Sequence, residues 1–284
     1  MSCLVGLTEW RLPASGVEAV RLAACVAADG VQLDFGGPGR GELIDKPGRI
    51  DALRAEAQVC GVRLLALAGN HFNDVGLTSW PGMVRPLLER LLDAAVGLGV
   101  PLVFVPSFRR SAIDGPAAFG RTAGALAWAA AEADARGLVL ASENVLTGEQ
   151  ARALADEVGS SAFRLVLDTF NPVAAGLRTA ALVTSLGDLL ADQVHLKDGP
   201  PVAGASPLLG TGSGRLEDTM DALCRHGVPV RAFVLENDYR HADPARLTTD
   251  LAWARRRARH FATAEAGRPD RVRERSSAEH PLSR

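Results

Sequence analysis

The chain has 284 residues, 47% of them hydrophobic, and a formal net charge of -2 at pH 7. That length suits one large domain or two small ones, and the near-neutral charge removes the electrostatic case for a nucleic-acid or acidic-membrane partner. No uninterrupted apolar run reaches the roughly 18 residues of a membrane span, and the N-terminus lacks the basic region and apolar core of a signal peptide. Four scattered cysteines without CxxC spacing read as reduced thiols, so a cytoplasmic protein is expected.

One unit recurs along the chain. A Gly or polar break precedes a short apolar, often β-branched run; a polar cluster and then a helical stretch follow. The first runs are "CLVGLTEW" (3–10), "GVQLDF" (30–35), "GVRLLALAG" (61–69) and "GVPLVFVPS" (99–107). The later ones are "GLVLASEN" (137–144), "FRLVLDT" (163–169), "DQVHLKD" (192–198) and "VRAFVLEN" (230–237). Continuous apolar runs suit strands buried on both faces. Between them, residues 17–28, 48–60 and 83–98 carry apolar side chains at helical spacing. The stretch 116–136 opens on a Pro suited to a first helical turn and stops before Gly137.

Eight strands alternating with helices imply a parallel sheet, and at this length a closed α/β barrel, a single (β/α)8 TIM barrel, is the expected solution. A doubly wound open sheet is the alternative. It wants a phosphate-binding GxGxxG turn, and "FGGPGRGE" (35–42) does not supply one. The last helical stretch is 244–264, and the barrel is expected to occupy residues 1–263. Residues 264–284 are polar and charged and are expected to form a disordered C-terminal tail.

In such barrels the C-terminal ends of the strands carry the active site. Glu143, Asp168, His195 and Glu236 end strands five to eight, each after an apolar run, and are expected to point to one centre. Three carboxylates buried together without a cation would be strongly unfavourable. A divalent metal ion removes that penalty, and the mostly oxygen donor set favours Mn2+ or Mg2+, with Co2+ or Zn2+ as alternatives. Lys197 is one of only two lysines, the other being Lys46. It lies two residues after His195 and so on the same side of its strand. It either stabilises a developing oxyanion or acts as a base, or else forms an ion pair with Asp198 or Glu236. His71 is a further acid/base candidate, or a rim histidine. Glu9, Trp10, Asp34, Asn144, Asn171 and Asp198 are candidate substrate contacts. Phe35 is a further pocket candidate; Trp80 and Phe108 are rim or helix-packing residues.

Taken in order, "GLVLASEN", "LVLDTFN", "VHLKDG", "PLLGTGSGRLED" and "FVLEN" resemble the xylose isomerase-like sugar phosphate isomerase/epimerase superfamily over roughly residues 3–262. The resemblance implies one divalent metal held by Glu143, Asp168, His195 and Glu236. It implies an isomerase or epimerase acting on a small polyhydroxylated carbonyl compound through a metal-bound enediolate. Glu143 and Glu236 would flank the metal as base and acid. The same first step serves a dehydratase of inosose or 3-dehydroshikimate type, and a barrel that binds a metabolite without turnover is a second alternative. Gly210, Gly212 and Gly214 match the superfamily's glycine motif after strand seven. Keto-sugar epimerases carry a histidine three residues after the strand-six aspartate; here it is Asn171, which hydrogen-bonds but does not titrate near neutrality. The extra histidines of endonuclease IV are absent, which argues against DNA repair. The expected partner is the small-molecule substrate, and a homo-oligomer is left open.

Overall fold

The computed structural model describes residues 3–202 and 205–266. Eight parallel strands close into a barrel in sequence order. They are β1 (Leu4–Thr8), β2 (Gly30–Asp34), β3 (Arg63–Ala68), β4 (Leu102–Pro106), β5 (Val139–Glu143), β6 (Phe163–Asp168), β7 (Leu190–Leu196) and β8 (Ala232–Leu235). All eight expected runs are strands, and β1 pairs with β8 to close the ring.

Helices return the chain on the outside. The first five are α1 (Val17–Cys25), α2 (Arg49–Cys60), the short α3 (Phe72–Val75), α4 (Pro81–Leu98) and α5 (Pro116–Ala135). They are followed by α6 (Gly148–Val158), the short α7 (Asn171–Ala174), α8 (Thr179–Leu186), α9 (Leu216–His226) and α10 (Pro244–Ala266). Pro116 opens α5 as expected. At α6 the Thr147 side chain accepts from the Gln150 backbone and the Gln150 side chain accepts from Thr147 N–H, which fixes the helix start. The last helix runs to Ala266, past the expected boundary at 263; the rest of the expected tail lies outside the described residues.

Two apolar layers result from strand alternation. One face of each strand packs on the helices, through residues such as Leu7, Leu33, Leu67, Val105 and Phe233. The other face fills the barrel interior, where Ala66, Phe104, Ala141, Val166 and Ala191 form a smaller cluster. At the C-terminal end of the barrel this inward-facing row turns polar. Parallel register sets the polar residues at matched heights: Asp168 pairs with His195 across β6 and β7, and Leu196 pairs with Leu235, so Glu236 follows at the rim.

Candidate active site and metal centre

Glu143, Asp168, His195 and Glu236 are all buried, and one ligand-type atom from each lies within 4.8 Å of the others. His195 Nδ1 stands 3.6 Å from Glu143 Oε2 and 3.5 Å from Glu236 Oε2, too far for hydrogen bonds to either. Three atoms of the cluster, Asp168 Oδ2, His195 Nδ1 and Glu236 Oε2, are buried with no hydrogen-bond partner. Converging lone pairs without a donor are the arrangement a divalent cation satisfies, so the residues present fit a metal site.

The other atom of each group is tied down from behind. Asn171 Nδ2 donates to Glu143 Oε1 at 2.9 Å, and Trp10 Nε1 donates to Glu236 Oε1 at 2.9 Å. Asp168 Oδ1 accepts from the backbone N–H groups of Phe170 and Asn171. A chain of buried amides orients His195. Gln193 Nε2 donates to Leu65 O at 2.8 Å, so its Oε1 accepts from Gln32 Nε2 at 2.9 Å. Gln32 Oε1 is then left to accept from His195 Nε2–H, also at 2.9 Å. This order fixes the proton on Nε2 and leaves the Nδ1 lone pair facing the carboxylates. Both glutamines sit inside apolar runs, "GVQLDF" and "DQVHLKD". An amide in a strand buried on both faces is a sequence signal for such a relay, and the sequence reading passed over it.

The electrostatics follow from this crowding. Burial raises the Glu143 carboxyl, and the neighbouring Glu236 charge adds to the effect. Burial pushes the Asp168 carboxyl up to about 8 against the pull of Lys197. Burial acts in the same sense on Glu236, but Lys197, Arg11 and, in the metal-free cluster, His195 when it carries a second proton on Nδ1 outweigh it and hold that carboxyl well below its usual range. Without a metal ion, the negative charge that Lys197 and Arg11 leave uncompensated can be neutralised only by protons.

A cavity of about 530 Å³ opens above the cluster, with Glu143, Glu236, Lys197, Asn171 and Trp10 in its wall. Lys197 Nζ donates to Asn171 Oδ1 at 3.0 Å and lies 3.8 Å from Glu236 Oε2. Thr169 Oγ1 accepts from Lys197 N at 2.8 Å and donates to Lys197 O at 2.7 Å, fixing the backbone that carries the lysine. Asn171 therefore links the Glu143 carboxylate to the Lys197 ammonium through one amide.

Four of the candidate substrate contacts lie outside this cavity. Asp198 is 1% exposed. Its Oδ1 accepts from Gly199 and Gly214 N–H, and its Oδ2 from Gly210 and Gly212 N–H, each at 2.9 Å. The carboxylate is spent on folding the glycine loop, not on meeting substrate. A Cβ on Gly212 or Gly214 would stand 2.4 or 2.7 Å from Asp198 Oδ1, so close approach is what requires glycine there. Glu9 is committed in the same way, to the backbone N–H groups of Gly16 and Asp34. Asp34 and Glu9 border a separate, neighbouring cavity. Burial and the Glu9 charge push the Asp34 carboxyl up to about 7. Asn144 Oδ1 accepts from Leu146 N at 3.1 Å, which turns that side chain into its own loop.

His71 packs between aromatic rings, 4.2 Å from the Phe72 centroid and 5.3 Å from that of Phe35. Neither ring nitrogen has a hydrogen-bond partner, and burial together with Arg40 and Arg90 pushes its pKa down to about 4. Phe35 is fully buried in the core, Trp80 is exposed, and Phe108 lines the cavity. The cavity wall also holds Arg11, Arg40, Arg109 and Arg240, which the strand-end reading missed because they lie in the loops beyond the strands.

The family model for the xylose isomerase-like TIM barrel matches residues 20–257. The chain belongs to that family. It is 62% identical over 268 residues to the 2-epi-5-epi-valiolone 7-phosphate 2-epimerase of Actinoplanes sp., a match covering 94% of this chain and 99% of that one. This protein is accordingly an enzyme, a sugar epimerase. Among solved structures, a xylose isomerase domain protein from Planctomyces limnophilus superposes with a TM-score of 0.71 at 16% identity, covering 93% of this chain and 98% of that one. The 3-keto-D-glucoside 4-epimerase of E. coli gives 0.68 at 18% identity, over 89% and 99% of the two chains. At those identities the two structures speak for the fold alone. No helix among the described residues is long and apolar enough to cross a membrane.

Proposed function

We propose that this enzyme inverts the stereocentre next to the carbonyl of a phosphorylated, polyhydroxylated cyclic ketone, of the kind named for its Actinoplanes relative. The observation that carries the reading is the placement of Glu143 and Glu236. Their Oε2 atoms face one centre from β5 and from the end of β8, and both residues border the same cavity.

Glu143, Asp168, His195 and Glu236 would hold a divalent ion, Mn2+ or Mg2+ by donor type, and such an ion supplies Lewis-acid polarisation of the substrate carbonyl. One of the two glutamates removes the proton from the carbon beside the carbonyl, and the other returns a proton from the opposite side, which inverts the centre. Asn171 and Trp10 keep the two carboxylates aimed by holding their Oε1 atoms. Lys197 brings a positive charge to the oxygen on which negative charge develops when the proton leaves. Trp10 and Phe108 give the cavity aromatic surface for the ring of the substrate. The dehydratase reading shares the first step, but the epimerase relative at 62% identity favours reprotonation over loss of a hydroxyl.

Incubation with 2-epi-5-epi-valiolone 7-phosphate in deuterium oxide tests this. The inverted product should carry one solvent deuterium at carbon 2 and no other change of mass. Loss of water from the product would make the enzyme a lyase, and inversion without solvent exchange would exclude two separate acid/base groups. Glu143→Gln and Glu236→Gln should each abolish inversion.

A further inference from the structure

Five cationic side chains line the cavity, and they fall into two groups. Arg11 and Lys197 stand 3.6 and 3.8 Å from Glu236, at the carboxylate cluster. Arg40, Arg109 and Arg240 make no ion pair with the cluster among the described residues. Each comes from a loop beyond a different strand: after β2, after β4 and after β8. Arg40 and Arg240 also border the neighbouring cavity, so both stand on the ridge between the two.

These three guanidiniums are positioned but not used up. Asp74 is shared: its Oδ2 accepts from Arg40 Nε at 2.7 Å and its Oδ1 from Arg109 Nη1 at 3.0 Å. Asp238 accepts from Arg240 Nε and Nη2 at 2.9 and 2.6 Å. Asp34 lies farther off, 3.9 Å from Arg40 Nη1. Both Nη groups of Arg40, Nη2 of Arg109 and Nη1 of Arg240 donate no hydrogen bond among the described residues. Arg109 also holds a left-handed backbone, φ 50°, which a side chain other than glycine rarely adopts. Backbone strain of this kind concentrates where a side chain must be presented to a ligand.

We propose that Arg40, Arg109 and Arg240 form a phosphate subsite at the mouth of the cavity, which sets the end of the substrate that enters first. A guanidinium presents paired N–H groups that match two phosphate oxygens, and a phosphate monoester carries a charge of about -1.5 to -2 at pH 7. Three guanidiniums sharing two close carboxylates leave positive charge at the mouth to meet it. With the phosphate held there, the carbonyl end of the ring is directed inward, to the carboxylate cluster. The subsite rests on the reading of the substrate as a phosphorylated ketone, yet phosphate binding can be measured apart from turnover.

The test titrates inorganic phosphate into the full-length, metal-loaded protein by calorimetry, for wild type and for Arg109→Gln and Arg240→Gln. Both side chains are largely exposed, so folding should be unaffected, and melting temperatures check that. Arg121→Gln serves as the control, since Arg121 lines a separate groove between α4 and α5. Saturable phosphate binding should weaken about tenfold or more in the two cavity variants and stay unchanged in the control. Against the phosphorylated ketone, the same variants should raise KM by a similar factor with kcat nearly retained, and against the dephosphorylated ketone they should match wild type. Absent binding, or equal affinity in all four proteins, would overturn the subsite and would assign any phosphate binding to the metal. Binding as expected without epimerisation of the ketone would leave the subsite standing and remove the substrate assigned above.

Discussion

Lys197 meets an amide oxygen at 3.0 Å and a carboxylate at 3.8 Å, and it faces the cavity. Its work is therefore expected in the transition state, where negative charge grows on the substrate oxygen. Lys197→Met should lower kcat roughly a hundredfold, ~2.7 kcal/mol, as the loss of an oxyanion donor does. Metal content should be unchanged because the four ligands remain. Lys197→Arg should restore little, since the larger guanidinium cannot occupy the Asn171 contact in the same way. Near-wild-type turnover of Lys197→Met at saturating metal, with a lower melting temperature, would make the lysine a structural ion-pair partner only. His71 shows the opposite case, a histidine whose neutral form the fold selects. Burial, Arg40 and Arg90 lower its pKa to about 4, and Asp74 only partly opposes them. The unfolded chain binds this proton near pH 6.5 and the folded chain does not. The stability from neutral His71 is thus complete above about pH 6.5 and is lost as pH falls towards 4, by about 3 kcal/mol at most. Denaturant unfolding of wild type and His71→Gln from pH 7 to 4 should show a shallower acid slope in the variant. Identical slopes would mean that His71 takes up its proton without unfolding.

At the scale of elements, the loop from β7 to α9 depends on one buried carboxylate. Asp198 accepts four backbone N–H groups, from Gly199, Gly210, Gly212 and Gly214. Asp198→Ala leaves those donors without a partner and should cost about 3–5 kcal/mol, with hydrogen exchange at Gly199, Gly210, Gly212 and Gly214 accelerated first. A variant with unchanged melting and exchange would show that solvent replaces the carboxylate. The sequence announced this loop, because "HLKDG" and "LGTGSG" are conspicuous, but it could not show that the two stretches bind each other. Strand positions were easier to see. Gly61 and Gly99 end α2 and α4 in left-handed conformation, and each is followed by the break and the apolar run of the next strand. Strand-end side chains were harder to interpret. Glu9, Asp34, Asn144 and Asp198 end strands as Glu143 does, yet their oxygens are satisfied by nearby backbone or held beside a second cavity. Local sequence fixes where a strand stops, but not whether the next turn will claim the side chain.

For the molecule as a whole, the barrel gathers its buried charge at one end. Metal removal should therefore be felt globally. An ion bound at about a hundred times its Kd adds about 2.7 kcal/mol to folding stability, so chelation should lower the melting temperature by several degrees, and Mn2+ or Mg2+ should restore it together with activity. Asp168→Ala should melt near the chelated wild type and show no response to metal. A chelated wild type with unchanged melting and turnover would remove the metal from the account. The sequence alone determined the barrel, because apolar runs buried on both faces and separated by helical spacing admit few other closures. It also determined the four residues at the ends of β5 to β8, because their parallel strands lie side by side in chain order. Only the tertiary structure decided which further polar groups join them. Gln32, Gln193 and Leu65 are distant in sequence, as are Arg40, Asp74, Arg109 and Arg240, and closure of the ring is what brings each set together. Contacts across a closed barrel depend on strand register and loop path, which are properties of the whole sheet and are written in no single stretch of chain.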